Sequence, residues 1–369
     1  MNGGATNGGA TRRSVLATSL AAPLLAAVGC GRRAAATPPA RPPSDVAILR
    51  EAITAKKNLI GAYAAVLAVH PELGGQLEPL LADNTAHLAE LKRRLIEPAG
   101  QTRARTAVPS RQPSPSQSPP PTPSSSPSQS LSPSPSPSPS PSPAPAGRSA
   151  ALTALRSAER TAAATHVAQL RTVAPSLAQL LASVAACEAT HATALAAGPT
   201  QAAPGGTWSI RTADLTSAAI GALQVALAAE HAATYGYGVA GAHLSGRGQQ
   251  DALADWDAHR ARRDQLAAML MAQGAVPVAA AAAYQLPFPV TSPDSAAALA
   301  AALEAGVTRA YLGTVALPVE GLRTFGALAM QDSAVRAARW RGATVAFPGL
   351  PPGALARQHA PAAGRATLG

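Results

Sequence analysis

A chain of 369 residues is long enough for two domains, but 35 prolines and a charged fraction of only 13% mean that part of it cannot bury a core. Alanine dominates, alternating runs of Val, Ile, Thr and aromatic residues are scarce, and aromatics make up 3%, so the ordered part is expected to be all-α. The net charge of +11 would fall to +9 (11 − 2) with removal of Arg12 and Arg13 in a leader. The excess is scattered rather than set along one helix face, which disfavours nucleic acid and favours anionic lipid or cell-wall polymer.

Residues 1–29 read as a targeting segment. Arg12-Arg13 opens a twin-arginine start, the apolar run from Val15 to Val28 is too short to span a bilayer, and Ala27-Val28-Gly29 leads into Cys30. Small residues before a cysteine resemble a lipobox, so Cys30 is the expected acylated first residue, with simple cleavage as the alternative. One acyl chain and the basic pair Arg32-Arg33 would hold the protein on the outer face of the cytoplasmic membrane. Residues 30–44 are a tether. The second cysteine, Cys187, then has no partner in the chain and reads as a small buried apolar residue.

Two helices are expected at 45–69 and 72–96, broken at His70-Pro71, where proline removes a donor and disfavours a helical residue before it. Residues 98–147 are Pro/Ser low complexity, a disordered linker. A second hairpin at 148–173 and 176–197 repeats the first: with Pro71 set over Pro175, Leu73/Leu177, Leu77/Leu181, His87/His191 and Leu91/Leu195 coincide. Neither hairpin buries a face alone, so 45–97 and 148–198 are expected to pack as one bundle.

From Thr212 to Arg341 come four further helices. The first has a seam of Ile220, Leu223, Leu227, Glu230 or His231, and Thr234; a Gly-rich turn at 245–248 leads to a second with Leu253, Trp256, Leu266 and Leu270 on one face. A crossover from Gly274 to Pro293 joins the halves, and Gly342 ends the last helix, with 346–369 as a disordered tail. Glu230-x6-Tyr237 returns as Glu304-x6-Tyr311, and His259-x3-Arg263 is echoed by Asp332-x3-Arg336.

The blocks AAEHAATYGYGVAGAHL, HRARRDQL, AAYQLPFPV, LE…Y and AVRAARWRG resemble, in order, an actinobacterial ferritin-like domain of unknown function often found in exported proteins, over roughly residues 210–345. The resemblance implies a ferritin-like four-helix bundle within 208–345 and little about activity. The paired helices, long crossover and internal repeat agree with it, and two such bundles are expected in all.

Ferritin-like di-iron sites take single carboxylates from two helices and Glu-x-x-His from the other two. In the first bundle Glu188 and His191 form such a motif, Asn84 and His87 are its repeat copy with an amide for the acid, and Glu51 and Glu159 are the candidate single ligands. Iron or another divalent metal is therefore one reading of Glu51, His87, Glu159, Glu188 and His191, with Lys56 and Lys57 placed to quench it. The second bundle lacks Glu-x-x-His. Equal distances from the turns put Glu230 level with Arg263 and Glu304 level with Asp332, so the expectation is a buried network of Glu230, Tyr237, His259, Arg263, Glu304, Tyr311, Asp332 and Arg336, built on a Glu230–Arg263 pair. A metal held by Glu230, His259, Glu304 and Asp332 is the alternative. Trp208, Trp256, Trp340 and Phe325 read as packing residues, and Gly236, Gly238 and Gly241 as points of close helix approach. The resulting functional expectation is a non-catalytic, lipid-anchored envelope protein with a binding or structural role and an envelope or cell-wall partner. A metal-binding or redox protein with a degenerate ferritin-like site is the runner-up.

Overall fold

A computed structural model describes residues 45–96, 147–196 and 215–350. The leader, Cys30, the tether, Trp208 and nearly all of the Pro/Ser segment lie outside the described residues. All regular structure among those described is helical.

The first set comprises α1 (Asp45–Val69), a 3-10 turn at Pro71–Leu73, α2 (Gly74–Ile96), α3 (Arg148–Gln169) and α4 (Pro175–Ala194). His70, at φ −127 and ψ 66, takes the non-helical conformation that the following proline imposes. The repeat holds in three dimensions: Leu73, Leu77, His87 and Leu91 are buried, as are Leu177, Leu181, His191 and Leu195. By length and a mean hydropathy of 1.2, α1 matches a membrane span. Its stripe of Leu59, Tyr63 and Val66 packs on Leu73 of the 3-10 turn, on Leu77 and Leu80 of α2 and on Leu155 of α3.

The second set comprises α5 (Ser217–Ala242), α6 (Gly246–Met271), α7 (Pro293–Ala310), the short α8 (Leu312–Ala316) and α9 (Glu320–Arg341). Thr216 caps α5, its side chain accepting from the Ala219 N–H, and Ser292 with Ser295 forms a reciprocal capping box on α7. Gly246 turns α5 into α6 at φ 55, and Gly342 ends α9 at φ 72, the left-handed stop expected from sequence. The crossover runs beside α5: the Gln224 side chain donates to Val276 O and accepts from the Val278 N–H.

On α6 the buried stripe is Ala252, Asp255, His259, Arg262, Leu266 and Leu270. Leu253 is exposed, so it does not share the core face with Leu266 and Leu270 as the sequence reading had it. On α5, Glu230 rather than His231 is the buried residue of the adjacent pair.

The two sets share a core. α4 is buried along nearly its whole length and packs on α3, α8 and α9, and one apolar cluster runs from Ile48, Leu177 and Leu181 to Leu223, Phe325 and Met330. Arg323 of α9 crosses this contact, its guanidinium donating to Leu170 O at 2.6 Å and Val173 O at 2.7 Å at the end of α3. The segment after α9 is packed rather than a free tail. Thr344 hydrogen-bonds Asp83, Ala346 O receives His87 Nε2, Pro348 O receives the Ser183 hydroxyl, and Phe347 meets the His87 ring edge-on. Residues 346–350 are therefore not the disordered tail expected from sequence, and 351–369 lie outside the described residues.

Candidate functional site

Each set encloses a polar centre. In the second, the i, i+7 repeat places Glu230 and Tyr237 on α5 against Glu304 within α7 and Tyr311 just beyond its end. The tyrosines cross over: Tyr311 donates to Glu230 Oε1 at 2.7 Å and Tyr237 to Glu304 Oε1 at 2.8 Å. His259 lies between the two acids, with Nδ1 2.6 Å from Glu230 Oε2 and Nε2 3.0 Å from Glu304 Oε1. A ring that bonds a carboxylate through both nitrogens donates from both, which is the imidazolium form. Burial alone would lower the His259 pKa, but the charges of Glu304 and Glu230 reverse this and lift it to about 9. The same contact holds Glu304 below the usual carboxylate range against the opposing effect of burial.

Around this core Arg262 pairs with Asp332 at 2.8 Å, and Asp255 receives Arg336 at 3.3 Å, Arg339, the Trp340 indole N–H at 2.8 Å and the Tyr237 hydroxyl at 3.1 Å. The Glu230–Arg263 pair expected from sequence is not formed. Arg263 is 28% exposed and bonds its neighbour Asp264. Its side chain points off the stripe of α6, where Arg262, at 8%, points in. Glu304 bonds His259 and Tyr237. Asp255 and Arg262 were missed, although the 3-4-3-4 spacing 252, 255, 259, 262, 266 singles them out.

In the first set Glu188 takes Lys56 Nζ at 2.6 Å on one oxygen and His166 Nδ1 at 2.9 Å on the other. Burial would raise its pKa; His166 and Lys56 instead bring it down to about 2. Lys56 also donates to Asn84 Oδ1 at 2.6 Å, and Asn84 passes an N–H to Glu159 Oε1 at 2.8 Å. Glu159 further receives Tyr63 at 2.8 Å and His191 Nδ1 at 2.9 Å. His191 Nε2 faces Cys187 Sγ and Asp83 Oδ2, both at 3.2 Å. His87 bonds Ala346 O, stacks 6.5 Å from the His191 ring, and burial together with Lys56 holds its pKa well below 6.5. Of the five candidate ligands, Glu159, Glu188, His191 and His87 thus converge. Glu51 does not: it is exposed and accepts from the Gln169 side chain, because the buried stripe of α1 passes through Ala52 and Lys56.

The di-iron arrangement implied by the resemblance fits neither centre. A bridging pair needs carboxylates free on their facing sides. In the first set Lys56 and Asn84 stand between Glu159 and Glu188, and in the second His259 already joins Glu230 to Glu304. Asn84 and Lys56 supply an amide and an ammonium at positions where a metal asks for anions.

The fold and these centres define an all-α protein made of helical hairpins, with ionised side chains neutralised among the helices. Within it, residues 222–352 match a family described as Domain of unknown function (DUF4439), a span that holds all of the second centre and the packed segment after α9. A conserved hypothetical protein of solved structure from Mycobacterium tuberculosis is 37% identical over a match covering 35% of this chain and 98% of that one, with a TM-score of 0.34. Comparison with curated proteins gives no match.

Proposed function

We propose that this is an exported, lipid-anchored helical protein of the cell envelope whose second set is a ferritin-like bundle turned to a non-catalytic, binding or structural role. The observation that carries the reading is His259 held between Glu230 and Glu304: a proton-bearing ring supplies the positive charge that a metal would supply, bonding Glu230 Oε2 and Glu304 Oε1, while the buried Glu304 Oε2 has no hydrogen-bond partner among the described residues. Tyr237 and Tyr311 are raised well above their ordinary pKa, by burial first and by the neighbouring carboxylates second, so they stay protonated donors. An opening of about 780 Å³ between α1 and α3, lined by Ala52, Ala55, Leu59, Ala158 and Ala162, supports binding by this protein. The twin-arginine start and Cys30 support export and anchoring.

Metal content per chain is expected to be equal in the wild type and Glu304→Gln, with only Tm falling in the variant. A loss of bound metal in Glu304→Gln would overturn the assignment of this centre. Cys30→Ala is expected to move the protein out of the membrane fraction or block its processing; membrane retention with a cleaved leader would overturn the anchoring.

A further inference from the structure

We infer that Asp83, Cys187 and His191 form a mononuclear site for a borderline divalent cation of the zinc type. The three donor atoms, Asp83 Oδ2, Cys187 Sγ and His191 Nε2, lie within 4.8 Å of one another. Their separations are 3.2 Å from sulfur to nitrogen, 3.2 Å from nitrogen to oxygen and 3.8 Å from sulfur to oxygen. Bonds of about 2.0 Å to N and O and about 2.3 Å to S, at tetrahedral angles, put such atoms about 3.3–3.6 Å apart, so one ion fits between them with small adjustments. Without an ion the same atoms form a hydrogen-bonded triangle in which the Cys187 thiol and His191 Nε2 both face Asp83 Oδ2, and a cation would take the place of those protons.

The surroundings match the support that metal-bound histidines receive. His191 Nδ1 is 2.9 Å from Glu159 Oε1, which holds a proton on Nδ1 and aims Nε2 at Cys187 and Asp83; with a carboxylate on each nitrogen the ring carries an Nε2 proton until a metal replaces it. Glu159 is itself held by Tyr63 and Asn84, and Asp83 Oδ2 receives the Thr344 hydroxyl at 2.6 Å. The internal repeat builds the site: Asp83 and Cys187 are equivalent at an offset of 104 (187 − 83), as are His87 and His191 (191 − 87). Each facing helix thus brings a pair at i, i+4. A neutral aspartate–histidine–cysteine cluster could instead be a nucleophile with its base, since Cys187, His191 and Glu159 stand in that order. The sulfur is fully buried, so a substrate has no approach to it, whereas an ion needs only to pass Asp83, whose side chain is 17% exposed. Metal entry displaces two protons to solvent, one from the thiol and one from His191 Nε2; the thiolate and carboxylate balance the two positive charges, and the fourth position is left to water. This site lies outside the second centre, and the inference does not rest on the role proposed for that centre.

The test is cobalt binding to the full-length Cys30→Ala protein, in which Cys187 is the remaining thiol of the two in the chain. One equivalent of Co²⁺ is expected to give a sulfur-to-cobalt charge-transfer band, removed by Zn²⁺. Cys187→Ala changes little in volume; it is expected to keep the helical circular dichroism and lose the band. Glu159→Gln, which acts through His191, is expected to weaken cobalt binding by about 10- to 100-fold while keeping the band shape. Glu304→Gln should leave the band and its stoichiometry unchanged, so failure here is separable from failure of the assignment of the second centre. Absence of the band, or a band that survives Cys187→Ala in folded protein, would overturn the site.

Discussion

At the scale of single residues, the two centres make stability depend on pH in opposite directions. His259 has its pKa raised from 6.5 to about 9, so its contribution is complete below pH 6.5 and is lost as pH rises through about 9. Glu188 has its pKa lowered from 4.5 to about 2, so its contribution is complete above pH 4.5 and fades as pH falls towards 2. Thermal melts are therefore expected to show highest Tm between pH 4.5 and 6.5, and His259→Gln should flatten the alkaline limb; an alkaline limb unchanged in that variant would show that His259 is neutral. The arginines give a second test. Arg263→Ala removes a surface pair, usually worth about 0–1 kcal/mol, whereas Arg262→Ala leaves Asp332 without its partner beside a buried ring, where losses of a few kcal/mol (about 1–3) are expected after allowing for the exposure of Asp332. Urea denaturation of the two variants reads the difference, and equal midpoints would refute the assignment. Counting residues from a turn gives the height of a side chain along a hairpin but not its face. It brought Glu230 near 259–263, and only the 3.6-residue period selects His259 and Arg262 over Arg263. The same rule passes through Lys56 and excludes Glu51. No rule of spacing within one helix reveals that Tyr311 reaches Glu230, because that contact depends on how α5 and α8 approach each other.

At the scale of elements, the helices were legible because proline and glycine punctuate them. Pro71 and Pro175 mark the hairpin turns, and Gly342 ends α9. Which glycines matter for packing was not legible. In α5, a Cβ on Gly236 would lie 2.5 Å from Leu303 Cδ1, while one on Gly238 or Gly241 meets nothing within 4 Å. Alanine at an open helical position gains up to about 1 kcal/mol of helix propensity, so Gly238→Ala should raise Tm. Gly236→Ala has the same gain but must displace Leu303 in the α5–α7 contact, a cost of about 1–3 kcal/mol for overpacking. The expected order of Tm is Gly238→Ala above wild type and Gly236→Ala below Gly238→Ala. Equal Tm in the two variants would show that Leu303 yields without loss and that the close approach at Gly236 contributes nothing.

At the scale of the whole molecule, the sequence suggests two bundles in series. What periodicity within a helix does not disclose is a helix with two partners. Leu180, Leu181, Ala182, Val184, Ala185 and Ala186 of α4 are all buried, and this all-round apolar stretch has no polar face left for solvent. It lies between α3 on one side and α8 and α9 on the other, so the sets are joined by a common core within one compact unit from Pro42 onwards. Arg323 adds a polar tie, satisfying the carbonyls of Leu170 and Val173 that end α3. Elements that bury the same side chains unfold together, so calorimetry of the full-length protein is expected to show one transition. Two resolved transitions would mean that α4 and α9 separate before either set melts, and the contact would then be too weak to couple them. Arg323→Met probes the coupling without cutting the chain. It removes charged donors from three carbonyls, those of Leu317, Leu170 and Val173, a loss of about 1.5–3 kcal/mol for each bond, at a point remote from both polar centres. With a shared core that loss lowers the Tm of the single transition as a whole. With independent sets it would move only the part containing α9 and split the peak.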